Sequence, residues 1–199
     1  MPARPRLSPD ETRLRIMDVA EEQFRRVGYA KSTVADIAEA LSMSSANVYR
    51  FFASKGAIND AICRRMLDQC HAHAESVLAG PGTAAQRLRQ LILDTHHRNQ
   101  ALMVGERRIH DMVEVAMAES WDAVEEHVHC MEGFIARLVR EGQERGEFAR
   151  DLDADAMGET IFDCCCTLFH PTLLAQHCQN DVPSNPERIV EFVLRALRA

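Results

Sequence analysis

The chain has 199 residues, of which 46% are hydrophobic and 27% charged, with a formal net charge of -7 and seven cysteines. That length buries a core in one large domain or two small ones. No stretch is apolar for long enough to span a bilayer, and residues 1–9 carry charge without an apolar run behind it, so no secretion signal is read and a cytoplasmic protein is expected.

The charge is unevenly placed. Residues 1–55 hold nine Lys/Arg and seven acids, a net +2, which leaves -9 for the rest. A mildly basic head on an acidic body still attracts phosphate locally, because salt screens the body's field beyond about 8–10 Å. The split points to a two-part protein whose head alone meets nucleic acid. The odd cysteine number, without a CxxC pair, gives no disulfide framework.

In chain order, nearly every segment carries helical periodicity and none sustains strand alternation. Ser8, Pro9 and Glu11 form an N-cap, a first-position proline and a capping box. Ile16, Val19, Ala20, Phe24 and Val27 then share one face until Gly28 stops the helix. Thr33 with Asp36 starts a short helix through Ala40, Ser44 caps another to about Phe51, and Ser54 opens a longer one to about Ala79. Gly80-Pro81-Gly82 is the clearest break. Further helices are expected over 83–102, opened by Thr83 and Gln86, and over 105–118, 121–145, 154–169 and 186–197, with a polar stretch at 180–185. The fold class is all-α.

Residues 33–51 have the size of a helix-turn-helix: helix 33–40, turn Leu41-Ser42-Met43, helix 44–51. Ile37, Ala38, Leu41, Met43 and Val48 converge on a small core, with Ala38 and Ala46 small enough for close helix approach. Ser44, Ser45, Asn47, Tyr49 and Arg50 then fall on or near the exposed face of the second helix. There they supply the donors and acceptors that reading base edges and phosphates requires.

Val27-Gly28-Tyr29, Thr33 through Ala40, Val48-Tyr49-Arg50-Phe51-Phe52 and Ser54-Lys55 closely resemble the TetR/AcrR family of transcriptional regulators over about residues 11–62. The resemblance implies about nine helices: a DNA-binding domain over 1–56 and an effector-binding, dimerising domain over 57–199. Carried over by position, Ser45, Ala46, Asn47 and Arg50 are base readers, and Ser44 belongs to the same surface. Tyr49 and Lys55 match phosphate contacts, Thr33 offers its hydroxyl and N–H to phosphate, and Arg4 and Arg6 form an arm for the minor groove or backbone. One position departs from the family: the turn residue that is usually glycine is Ser42, where a left-handed conformation carries a cost.

In the body, Ile161, Phe162, Cys165, Leu168 and Phe169 share one apolar face, and Val190, Val193, Leu194 and Leu197 another. By the resemblance these two helices pair with a second copy in a four-helix interface. The homodimer then presents its recognition helices to a palindromic operator on double-stranded DNA. A small organic effector is expected among His96, Asn99, Met103, His110, Met112, Val113, Met117, Trp121 and Met131, although methionines and aromatics equally suit a plain core.

Two alternatives are weighed. His127 with Cys130, Cys166 with His170, His96-His97 and His110 invite a metal, and Cys164–Cys166 a thiol sensor, but no metal signature appears and buried cysteine is the commoner state. Neither a metal nor another cofactor is expected. An enzyme with an incidental helix-turn-helix would need a nucleophile motif, an HExxH or a phosphate loop, and none is present.

Overall fold

The computed structural model describes residues 7–105, 107–119, 121–179 and 185–198, and at 103–105, 107–110, 119, 121 and 177–179 it describes the backbone alone. Among the described residues eleven α-helices follow one another: α1 (Pro9–Val27), α2 (Val34–Ala40), α3 (Ser45–Tyr49), α4 (Lys55–Leu78), α5 (Ala84–Gly105), α6 (Arg107–Glu119), α7 (Trp121–Glu144), α8 (Ala154–Cys164), α9 (Cys166–Phe169), α10 (Pro171–Gln179) and α11 (Pro186–Ala196). Eight of them are long, and no strand occurs among the described residues.

The helix starts are the ones the side chains dictate. Ser8 Oγ accepts from the Glu11 N–H at 3.1 Å while Glu11 accepts from the Ser8 N–H at 2.7 Å. Thr83 and Gln86 do the same at the start of α5, at 3.1 and 3.0 Å. Each box satisfies amides that a helix N-terminus leaves without intrahelical partners.

The chain forms two compact units. The first takes residues 1–65 and 106–120 and the second takes 66–105 and 121–199. The division is not a single cut, because α6 returns to the first unit. There Ile16, Ala20 and Phe24 of α1, Ile37 and Ala38 of α2, Val48 of α3, and Ile58 and Ile62 of α4 are buried. Arg65 ties α4 to α1 through Asp18 and Glu21, both at 2.7 Å. Asn59, also buried, donates from Nδ2 to the main-chain carbonyl of Met112 in α6 at 3.0 Å.

The second unit is built around α7. Helix α8 lies so close to it that a Cβ at Gly158 would stand 2.6 Å from the Glu132 carbonyl oxygen. Leu88, Leu91 and Ile92 of α5, Met131, Ile135 and Leu138 of α7, and Val190 and Val193 of α11 share the core.

The single helix expected over 154–169 is broken instead. Cys165 ends α8, with its N–H bonded to the Ile161 and Phe162 carbonyls, both at 3.0 Å. His170 is extended at φ -71, ψ 121, and ends α9, because the residue before a proline is driven out of helical geometry. Pro171 then starts α10, a helix the apolar periodicity did not separate.

His71 of α4 and His127 of α7 are hydrogen-bonded ring to ring at 2.8 Å, so at least one imidazole stays neutral. Burial first, and the His71 ring second, push His127 down to about 4. An unfolded chain takes up a proton on this ring near pH 6.5, which the folded chain refuses. This contribution to stability is therefore complete above pH 6.5 and is lost as pH falls toward 4. It amounts to at most about 3 kcal/mol, less what solvent screening removes at a half-buried ring. Urea unfolding of wild type and His127→Gln across pH 4–7.5 checks this: the wild type should lose stability below pH 6.5 more steeply than the variant, and parallel curves contradict it.

Candidate nucleic-acid interface

Helix α2 ends in a Schellman motif. Ser42 sits at φ 54, the one non-glycine residue with positive φ among those described. Its N–H bonds to the Glu39 carbonyl at 2.9 Å and the next N–H, of Met43, to the Ala38 carbonyl at 2.8 Å. The turn position that is usually glycine in the family is therefore left-handed here, with a serine in it. It reverses the chain within three residues and delivers Ser44 to cap α3, its Oγ accepting from the Asn47 N–H at 3.2 Å.

Helix α3 is five residues long, and its continuation to Phe51 is a tighter turn, with the Phe51 N–H bonded to the Val48 carbonyl at 2.9 Å. Val48 is its buried side chain. Ser44, Ala46, Tyr49 and Arg50 are exposed, with Tyr49 at 52%, and Ser45 and Asn47 are half-buried. The expected reading residues thus lie on one short helix, and all but Val48 of its five residues reach solvent. Ala38 is buried as a close-approach position, but Ala46 is exposed, which leaves it to the reading face alone.

The phosphate candidates are placed differently from one another. Thr33 is engaged by its own helix: its N–H and hydroxyl both donate to the Asp36 carboxylate, at 2.9 and 2.7 Å. These bonds from Thr33 hold the Asp36 carboxyl below its ordinary value. Lys55 turns inward, donating to the carbonyls of Tyr29 at 2.7 Å and Ser32 at 3.1 Å. Arg4 and Arg6 lie outside the described residues.

A residue the sequence did not single out completes the head. Arg13 of α1 donates from Nη1 to the Phe51 carbonyl at 2.7 Å and lies 4.2 Å from the centre of the Phe52 ring. No local pattern signals a bond across 38 positions.

The expected effector residues fall in both units. Met112, Val113 and Met117 belong to α6 and the first unit, while His96, Asn99 and Met131 belong to the second. The side chains of Met103, His110 and Trp121 lie outside the described residues. His96 and Asn99 bond the carbonyls of Leu168 at 3.1 Å and Phe169 at 2.9 Å, which satisfies acceptors freed where α9 breaks. Burial holds His96 below its ordinary value. Met131 is core. A cavity of about 250 Å³ opens among Leu78, Arg137, Leu138, Arg140, Glu141 and Glu144.

The expected dimer face requires correction. Ile161, Cys165, Leu168, Phe169, Val190, Val193 and Leu197 are buried within the single chain, and Phe162 and Leu194 pack half-buried against the same core. Periodicity showed which residues share a face, but not that the face is covered by the protomer's own α5 and α7. The opposite side of α11 exposes Phe192, 62% accessible.

Among the described residues, no group of three or more His, Cys, Asp or Glu side chains is arranged to hold a metal. His127 pairs with His71, not with Cys130. Burial pushes the Cys63 and Cys165 thiols up to about 12, so neither is a thiolate at neutral pH. None of the described helices is long and apolar enough to cross a membrane.

Two family models match this chain: the bacterial regulatory proteins of the tetR family over residues 16–62, and the tetracyclin repressor-like C-terminal domain over residues 84–190. The chain belongs to the TetR family. This TetR-family protein is accordingly a DNA-binding transcription regulator. It is 24% identical over 153 residues to the HTH-type transcriptional repressor KstR2 of Mycobacterium tuberculosis, covering 74% of each chain. In fold it is similar to the fatty acid degradation regulator FadR from Bacillus halodurans, with a TM-score of 0.65, 17% identity, and 96% and 95% of the two chains covered. It is also similar to FadR from Bacillus subtilis in complex with stearoyl-CoA, with a TM-score of 0.62, 19% identity, and 92% and 95% covered.

Ser42 marks where stability was given up. An L residue in the left-handed region costs roughly 1–2 kcal/mol, and part of that gain is offset when glycine loosens the unfolded chain. Ser42→Gly is expected to raise stability by up to about 1 kcal/mol in urea titrations; a destabilisation would show that the hydroxyl contributes more than the backbone strain costs.

Proposed function

We propose that this regulator is a homodimeric repressor that holds a palindromic operator in the absence of its effector and releases it when a small organic molecule binds the body. The observation that carries the reading is the exposed face of α3. Ser45, Asn47 and Arg50 offer hydrogen-bonding groups, and Tyr49 offers a phenol at the rim. A bidentate pairing of Asn47 with adenine or of Arg50 with guanine discriminates by about 1–3 kcal/mol. The regulator acts on the chromosome in the cytoplasm, by binding and not by catalysis.

A two-fold dimer sets two such helices into successive major grooves, so half-site centres stand about 34 Å apart or a multiple of it. The buried apolar stripes of α8 and α11 leave their outer sides for the second copy, with Phe192 at the centre. Phe192→Glu is expected to convert the dimer to monomer in sedimentation experiments at micromolar concentration. A variant that still sediments as a dimer moves the interface elsewhere.

The similarity to FadR bound to stearoyl-CoA makes long-chain acyl thioesters the first effector class to try. The effector releases DNA only by as much as it prefers the non-binding state, typically about 1–3 kcal/mol. Gel-shift titration on DNA from upstream of the protein's own gene tests the function. Salt-sensitive binding that outcompetes random DNA is expected, with Asn47→Ala losing roughly ten- to hundredfold of that selectivity. Equal affinity for every duplex would refute it.

A further inference from the structure

We infer that Asn59 is a positioning residue of the regulator: its amide sets the register of α6 against α4, and selectivity for the operator depends on that register. The inference rests on the DNA-binding reading above. Asn59 lies in the second turn of α4 and is 1% exposed. Its Nδ2 donates at 3.0 Å to the carbonyl of Met112, itself fully buried in α6. Its Oδ1 is buried as well, and among the described residues no donor reaches it.

Stability alone does not account for this arrangement. The Met112 carbonyl lies inside α6, where it also accepts from the N–H four residues on, and it has two lone pairs. Taking the Asn59 amide away therefore leaves that carbonyl satisfied. Keeping the amide leaves Oδ1 desolvated without a donor, which costs free energy. An apolar side chain of the same branched shape would fill the place without that cost.

What the amide supplies is a choice of position. Apolar contacts tolerate sliding, whereas a hydrogen bond weakens steeply away from its geometry. The next carbonyl on the same face of α6 is one turn away, about 5.4 Å. A smaller slide of α6 thus breaks the bond and offers no substitute. Buried polar groups that set register at a cost in stability are best attested in this use.

Chain order explains why register matters. Helix α4 follows directly on the reading segment, and α6 belongs to the same unit, while the chain on either side of α6 runs to α5 and α7 of the second. The register of α6 on α4 therefore fixes where these connections leave the reading head. Two heads of a dimer meet both half-sites only when the connections leave each head alike.

The test compares full-length wild type, Asn59→Leu and Asn59→Ala. Urea unfolding measures stability, and gel-shift titration measures affinity for the upstream duplex and for random DNA. Amide hydrogen exchange follows α6 in the free proteins. Asn59→Leu is expected to unfold at a urea midpoint no lower than wild type. It nevertheless loses about tenfold in affinity for the upstream duplex, as when about one molecule in ten holds the binding arrangement. Affinity for random DNA stays within about twofold, because no charge of the head has changed. Exchange at the amides of residues 113–118 speeds up by about tenfold or more, a local loosening without global destabilisation.

A merely structural residue gives the opposite split, a lower midpoint with selectivity kept. Asn59→Ala loses the same bond with a smaller side chain. It is expected to be less stable than the leucine variant but to lose the same selectivity, so it answers the question even if leucine is too large for the site. Wild-type selectivity in either folded variant overturns the inference and leaves the regulator standing. A wild type without selectivity overturns both.

Discussion

Helix α3 is too short to hold itself. Five residues make little more than one turn, and an isolated helix of that length does not persist in water. Its shape and aim therefore come from outside it: the Ser42 turn before it, the Ser44 cap, Val48 in the core, and the Arg13 bond to the carbonyl just beyond it. With the fixing done by one buried apolar residue and its flanks, the remaining side chains stay free for solvent or a ligand. A longer helix would be steadier alone but would spend more of its surface on packing. Arg13 and Lys55, two of the head's cations, also bond the head's own carbonyls.

The second unit is organised around a different constraint, the break at Cys165 and His170. Proline at 171 forces the chain out of the helix and frees carbonyls at its end, and two polar groups of α5, on His96 and Asn99, take them. These are structural ties in a region where polar residues would otherwise read as ligand contacts. The chain leaves the first unit within α4, returns to it as α6, and departs again before α7. In the proposed repressor, an effector that shifts α5 acts on the first end of α6 and one that shifts α7 on its last. The buried Asn59 bond to the Met112 carbonyl ties α6 to the start of α4. Such a shift changes DNA affinity only if the effector binds the two arrangements unequally.

Much of this was legible in the amino-acid order where the cause is local. Ser8 with Glu11, Thr33 with Asp36 and Thr83 with Gln86 name their helix starts because cap and partner sit three residues apart. Gly28 marks a stop, and the short segment 41–43 marks the turn between α2 and α3. What depends on distant neighbours was not legible. The spacing of Ile161, Cys165 and Leu168 shows a shared face but cannot say whether α7 or a second protomer covers it. The apolar pattern also runs on through the Cys165 break. A lysine at position 55 reads as a free cation until Tyr29 and Ser32 are seen to surround it.

The central claim, that α3 reads base edges in the major groove from both halves of a dimer, is tested most directly by dimethyl sulfate footprinting on the upstream DNA. This reagent methylates guanine N7, which faces the major groove. The account predicts two protected clusters on one face of the duplex, with centres about one helical turn or a whole number of turns apart and related by two-fold symmetry. Clear protection from hydroxyl radical along the backbone with every guanine N7 still reactive would contradict it.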